Sequence, residues 1–242
     1  MSTQPPNMGS SIAPRHAALV AGLFYLLNTT PLAEYLYSQI VVPGNIAQTA
    51  INFATQKLTV ALALLAYFAN LAGDVLIAWA LYFMLAPVSR SMSLLAAWFQ
   101  LAYSVIAFSA TMQLLNVWSL VNNPKLHALF DQSQLHAQIA LFLHSFRDGW
   151  SMSLSLFGIH LVLVGWLIAR STYVPKWIGI VLIVNGLGWF VGAWGSYFLP
   201  DVDLDFVSVT YFGEVVFMLW LLIKGRRITI LSPEAGLAPL LT

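Results

Sequence analysis

Two carboxylates, Asp74 and Glu214, stand in the middle of long apolar stretches of a 242-residue chain. A third such stretch contains HSFRDGW (144–150), which puts His144, Arg147 and Asp148 within about one helical turn. Glu34 completes the set of acids in or beside apolar sequence. An ionised side chain at mid-bilayer costs about 2.5–3.5 kcal/mol on insertion scales, so groups of this kind turn inward and seek partners. Arg147 is the natural positive centre for Asp148, Glu34, Asp74 and Glu214. Neighbours on a helix point about 100° apart, so Arg147 and Asp148 are expected to reach different helices. His144 and Asp148, four residues apart, share a face and could bond directly, as could Asn70 and Asp74. The result would be a polar cluster among spans one, two, four and six, able to take a small solute, an ion or a proton.

The same charges have a structural alternative, an ion-pair clasp that fixes helix register and needs no ligand. Such a protein would serve as an accessory subunit, with a membrane-protein partner or a second copy against its apolar surface. An intramembrane enzyme using His144, Asp148 and a nearby serine is the weakest reading, because no nucleophile elbow surrounds Ser151, Ser153 or Ser155. No metal or cofactor is expected. His144 and Asp148 lack a completing ligand helix, and DVDLD (201–205) has Phe206 and Phe212 where a calcium loop needs glycine and glutamate. That run reads as an acidic external turn. His160 reads as a packed, hydrogen-bonded helix residue, and Trp177, Trp189, Trp194 and Trp220 as interfacial or packing groups. Gly188 and Gly192 in GLGWFVG (186–192) would let helices approach closely.

Composition fixes the setting of these residues. The chain is 60% apolar and 8% charged, with a mean hydropathy of +0.80; a soluble domain carries about 25% charged residues. The lipid bilayer is therefore its partner. A net charge of +1 without a basic stripe argues against nucleic acid, and the absence of cysteine removes disulfides and thiolate chemistry. The fold class is all-α, a polytopic bundle of six transmembrane helices. They are expected at 17–37, 58–86, 91–121, 138–169, 177–198 and 206–223, each long enough to span. Pro87, Pro124, Pro175 and Pro200 punctuate them. NTT (28–30) matches a glycosylation pattern by chance, inside the first span. Asn45 is a candidate N-cap, and 125–138 reads as an amphipathic segment on the membrane surface.

Residues 1–16 read as a disordered tail, 17–225 as one membrane domain and 226–242 as a C-terminal tail. Arg15, Arg90, Arg170, Lys176, Lys224, Arg226 and Arg227 fall on one side of a six-span chain, against Lys57 and Lys125 on the other. That bias places both termini in the cytoplasm.

ALVAGLFYLL, VVPGNIAQTAINF, GDVLIAWALYFML, RDGW, LVGWLIARSTYVPKWIGIVLI and GEVVFMLWLLIKG occur in that order. Over roughly 15–225 they resemble a domain-of-unknown-function family of bacterial integral membrane proteins. The resemblance implies a six-span protein of the bacterial inner membrane and supplies no reaction, substrate or cofactor.

Overall fold

A computed structural model describes residues 12–198, 201–202 and 204–228. Six helical segments are long and apolar enough to cross a membrane. The first is built from α1 (Pro14–Asn28) and α2 (Leu32–Ile40). It is followed by α3 (Ile46–Thr55) and the second span, α4 (Lys57–Leu85). The third and fourth spans are α5 (Arg90–Asn122) and α7 (Gln132–Arg170), with a single turn, α6 (Pro124–His127), between them. The fifth is α8 (Lys176–Phe198). The sixth starts as a 3-10 segment, Asp205–Tyr211, and continues as α9 (Phe212–Ile223).

The first span differs from the expected continuous helix. It breaks at Thr29–Pro31, because a proline disfavours helical backbone at the preceding residue and cannot donate to the ladder. The hydroxyls of Thr29 and Thr30 donate to the carbonyls of Leu26 (3.0 Å) and Leu27 (2.6 Å) at the end of α1. The NTTP run, whose only reading from sequence was a chance glycosylation match, is thus the signature of the break. Helix α1 begins at Pro14, earlier than the expected Ala17. Residues 1–11 and 229–242 of the expected tails lie outside the described residues, as does part of the acidic turn at 201–205.

Asn45 caps α3 as expected, accepting from the Gln48 N–H at 2.9 Å. The amphipathic segment expected over 125–138 is divided between the single turn α6 and the first turns of α7. Asp131 and Gln134 make a reciprocal capping box that starts α7 at Gln132. The Asp131 carboxyl is exposed, and the Ser133 hydroxyl, followed by the Gln134 N–H, holds it below the usual aspartate range.

The heaviest packing is α7 against α8 and α5, followed by α1 against α4. Helices α7 and α8 meet through glycines. A Cβ on Gly165 would stand 2.5 Å from the Gly179 carbonyl oxygen, and one on Gly179 equally close to that of Gly165. Gly158 and Gly186 repeat the arrangement two turns away, so the two backbones pack without side chains between them. Gly188 and Gly192 admit Thr210 and Tyr211 of the 3-10 segment, the close approach expected of that glycine run. The start of α1, the α4–α5 turn, the α7–α8 turn and the end of α9 gather at one end. Gly225 abuts Ala18, and the Tyr173 hydroxyl donates to the Met84 carbonyl at 2.6 Å. All seven basic residues assigned to one side lie on these segments.

Candidate functional site: a carboxylate pair at the membrane midplane

Asp74 on α4 is buried at 7% exposure. One of its oxygens accepts from the Asn28 amide of α1 at 3.0 Å and from the Gln100 amide of α5 at 2.9 Å, and the Tyr103 hydroxyl lies beside it. Gly73 makes room for Asn28, because a Cβ there would meet the Asn28 Oδ1 at 2.8 Å. The Asn28 amide also donates to the Asn70 carbonyl. Asn70 therefore contributes its backbone to the site, and not the side-chain contact expected from its spacing to Asp74.

Glu214 sits in the first turn of α9, where the helix dipole favours negative charge, and is half-buried. One oxygen accepts from the Trp189 indole at 2.7 Å and the Asn185 amide at 3.2 Å, both on α8. Trp189 is held by stacking on Tyr211, with ring centroids 3.7 Å apart. Tyr25 of α1 is 2% exposed and within electrostatic reach of both carboxylates, which also reach each other.

These groups lie at one depth. Counted at 1.5 Å per residue from the basic residue or helix end nearest in sequence, Asn28, Asp74, Gln100, Asn185 and Glu214 stand roughly 14–20 Å from the basic end. That is the middle of a hydrocarbon core about 30 Å thick. Neither carboxylate takes an ion pair from a lysine or arginine among the described residues; their donors are amides, an indole and a phenol. Around them the Tyr25 hydroxyl, Asn28 Oδ1, Gln100 Oε1 and Asn185 Oδ1 are buried without a hydrogen-bond partner. Buried polar atoms are ordinarily satisfied, so this concentration of oxygens is unusual.

The geometry does not bring together the cluster expected around Arg147. His144, Arg147 and Asp148 share the exposed face of α7, while Leu143 and Phe146 occupy its buried face. Arg147 lies 23 residues before Arg170, about 35 Å along the helix, which puts it at the far boundary of the hydrocarbon and not inside it. With 39 residues, α7 is longer than a hydrocarbon core about 30 Å thick requires. Asp148 makes no hydrogen bond to His144 among the described residues. Glu34 is exposed on α2 and accepts from the Tyr67 hydroxyl at 2.8 Å. Arg147 and Glu34 both act on Tyr37, in a separate outer layer.

Spans one, two, three, five and six therefore build the site, and the fourth backs it. His160 is buried and its Nδ1 pairs with the Ala96 carbonyl at 2.8 Å, the packed role expected of it. Ser153 and Ser155 donate to carbonyls of their own helix. Sequence reasoning missed Tyr25, Asn28, Gln100, Tyr103, Asn185 and Trp189. The available signal was an amide in the interior of each of three further spans, at the depth of the acids.

The fold and the site define the class: a six-span helical membrane protein with an acidic polar centre. The chain belongs to the family described as Domain of unknown function (DUF4386), whose model matches residues 20–225. It is also 31% identical over 156 residues, 64% of this chain and 79% of the relative, to an uncharacterised protein of Archaeoglobus fulgidus. No solved structure matches.

Proposed function

We propose that the protein binds and exchanges a small cation, a proton or a hard monovalent ion, at Asp74 and Glu214, as a transport protein of the bacterial inner membrane. The observation that carries this reading is a pair of acids at the midplane with no basic partner among the described residues and a shell of unpartnered oxygens. Two like charges in low dielectric repel strongly, so electroneutrality calls for a positive charge at the site. A proton on either carboxyl group, or an ion among carboxylate and amide oxygens, supplies it; such oxygens suit hard cations. The Arg147 clasp reading loses its support, because that guanidinium stands in another layer.

The helix geometry agrees with exchange. Transporter ion sites are commonly lined by interrupted helices, and irregular backbone at membrane depth is tolerated where it borders a polar cavity or other protein. The break after Asn28 and the 3-10 segment before Glu214 are two such interruptions, one on each side of the cluster.

The test is reconstitution in vesicles carrying a pH-sensitive dye under an imposed proton gradient, or a sodium-sensitive dye under an imposed sodium gradient. The wild type is expected to dissipate one gradient, and the identity of that gradient separates the two ions. Asp74→Asn and Glu214→Gln, which keep shape and much of the hydrogen bonding, are expected to lower the rate at least tenfold while remaining helical and monodisperse. Folded variants that move the ion at the wild-type rate, or a wild type inert to both gradients, would sink the proposal.

A further inference from the structure

A pocket away from the carboxylate cluster lies at the basic end of the molecule. It has a volume of about 590 Å³ and opens between the start of α8 and the end of α9, lined by Thr172, Tyr173, Trp177, Trp220, Lys224 and Arg227 among others. The geometry points to a binding site for one anionic glycerophospholipid, with its phosphate in this pocket and an acyl chain along the outer face of α8.

Three features carry the assignment. Lys224 and Arg227 bring two cations to the pocket, and among the described residues none that lines it is acidic. Pro175 and Trp177, just before and just inside the start of α8, line it, and a helix N-terminus, whose first N–H groups lack intrahelical partners, favours a nearby anion. The Tyr173 hydroxyl is committed to the Met84 carbonyl, so the ring forms a fixed wall. Arg170, the nearby cation of the α7 end, is stacked over Trp166 at 4.1 Å and belongs to a different surface.

A lipid is favoured over a soluble phosphate by what continues from the pocket. Trp177, Ile180, Val184, Leu187 and Val191 follow one another at spacings of three and four, all at least 41% exposed. At helical periodicity they form one stripe, running from the pocket toward the middle of the membrane. Trp177 and Trp220 stand where indoles collect, at the junction of headgroups and hydrocarbon. A headgroup site joined to an acyl-chain track matches the two halves of a phospholipid, and basic pockets between helix ends are known to take acidic headgroups.

The experiment is native mass spectrometry of the full-length protein released from micelles holding equal amounts of phosphatidylglycerol and phosphatidylcholine. The wild type is expected to retain one phosphatidylglycerol with about tenfold preference, given two cations at the surface. Lys224→Gln, at an exposed position, is expected to lose part of the preference, and Lys224→Gln with Arg227→Gln to lose it all. Arg90→Gln, at the same end but outside the pocket, is expected to keep it. Equal retention of both lipids by the wild type overturns the assignment, as does an unchanged preference in the double variant. A fall in Arg90→Gln as large as in the double variant would reduce the effect to general surface charge and overturn it too. Displacement of the lipid by millimolar inorganic phosphate would reassign the pocket to a soluble anion, which also overturns it.

Discussion

Arg147 and Gln100 show how depth and facing govern what a polar residue does in this chain. Gln100 is fully buried and gives Asp74 a hydrogen bond from the third span. Arg147 is exposed near the end of the hydrocarbon and needs no interior partner. Arg147→Gln is accordingly expected to change stability by no more than about 0.5 kcal/mol, as for other surface positions. Gln100→Leu takes a donor from a buried carboxylate, and such losses cost about 1–3 kcal/mol. Thermal unfolding of the two variants in the same detergent checks the contrast; equal melting temperatures would contradict it. Asp74 and Glu214 were legible from sequence because acids are rare in apolar helix. Their amide partners were not, since a single asparagine or glutamine in a span is tolerable anywhere it finds a carbonyl.

At the scale of elements, the irregular segments and the glycine contacts do the positioning. The break at Thr29–Pro31 ends α1 at Asn28, which puts that amide beside Asp74. The 3-10 segment delivers Glu214 to the first turn of α9, and the approach at Gly188 and Gly192 seats Tyr211 against Trp189. Helix α8 carries both donors to Glu214, and its registration on α7 depends on the paired glycines. Gly179→Val would drive a branched side chain into the Gly165 backbone, where overpacking costs about 1–3 kcal/mol. The expected outcome is a lower melting temperature together with weakened ion exchange, because Asn185 and Trp189 shift with the helix. A Gly179→Val protein with wild-type stability would show that α7 and α8 are not held by this contact. The glycines at 188 and 192 were readable as packing positions, whereas the Gly158–Gly186 and Gly165–Gly179 pairs join separate spans and required the fold.

For the molecule as a whole, an even number of spans puts both ends of the membrane domain on one side, the side that collects seven of the ten basic residues. Positive charge resists translocation, and we expect that side to be the cytoplasm. A fluorescent protein fused after Thr242 should then be fluorescent and an alkaline phosphatase fusion inactive. The reverse pattern would invert the orientation and move the lipid pocket to the outer leaflet. The midplane cluster keeps its depth under either orientation.

Hydropathy alone determined the class, the six spans and the acids they carry. These follow from a local rule, that backbone in lipid must bond to itself and charge must be sparse. Tertiary structure decided which acids meet, that Arg147 stays out, and that amides and an indole from three other spans surround Asp74 and Glu214. Helix rotation, length and breaks set those outcomes, and each depends on contacts between segments far apart in the chain.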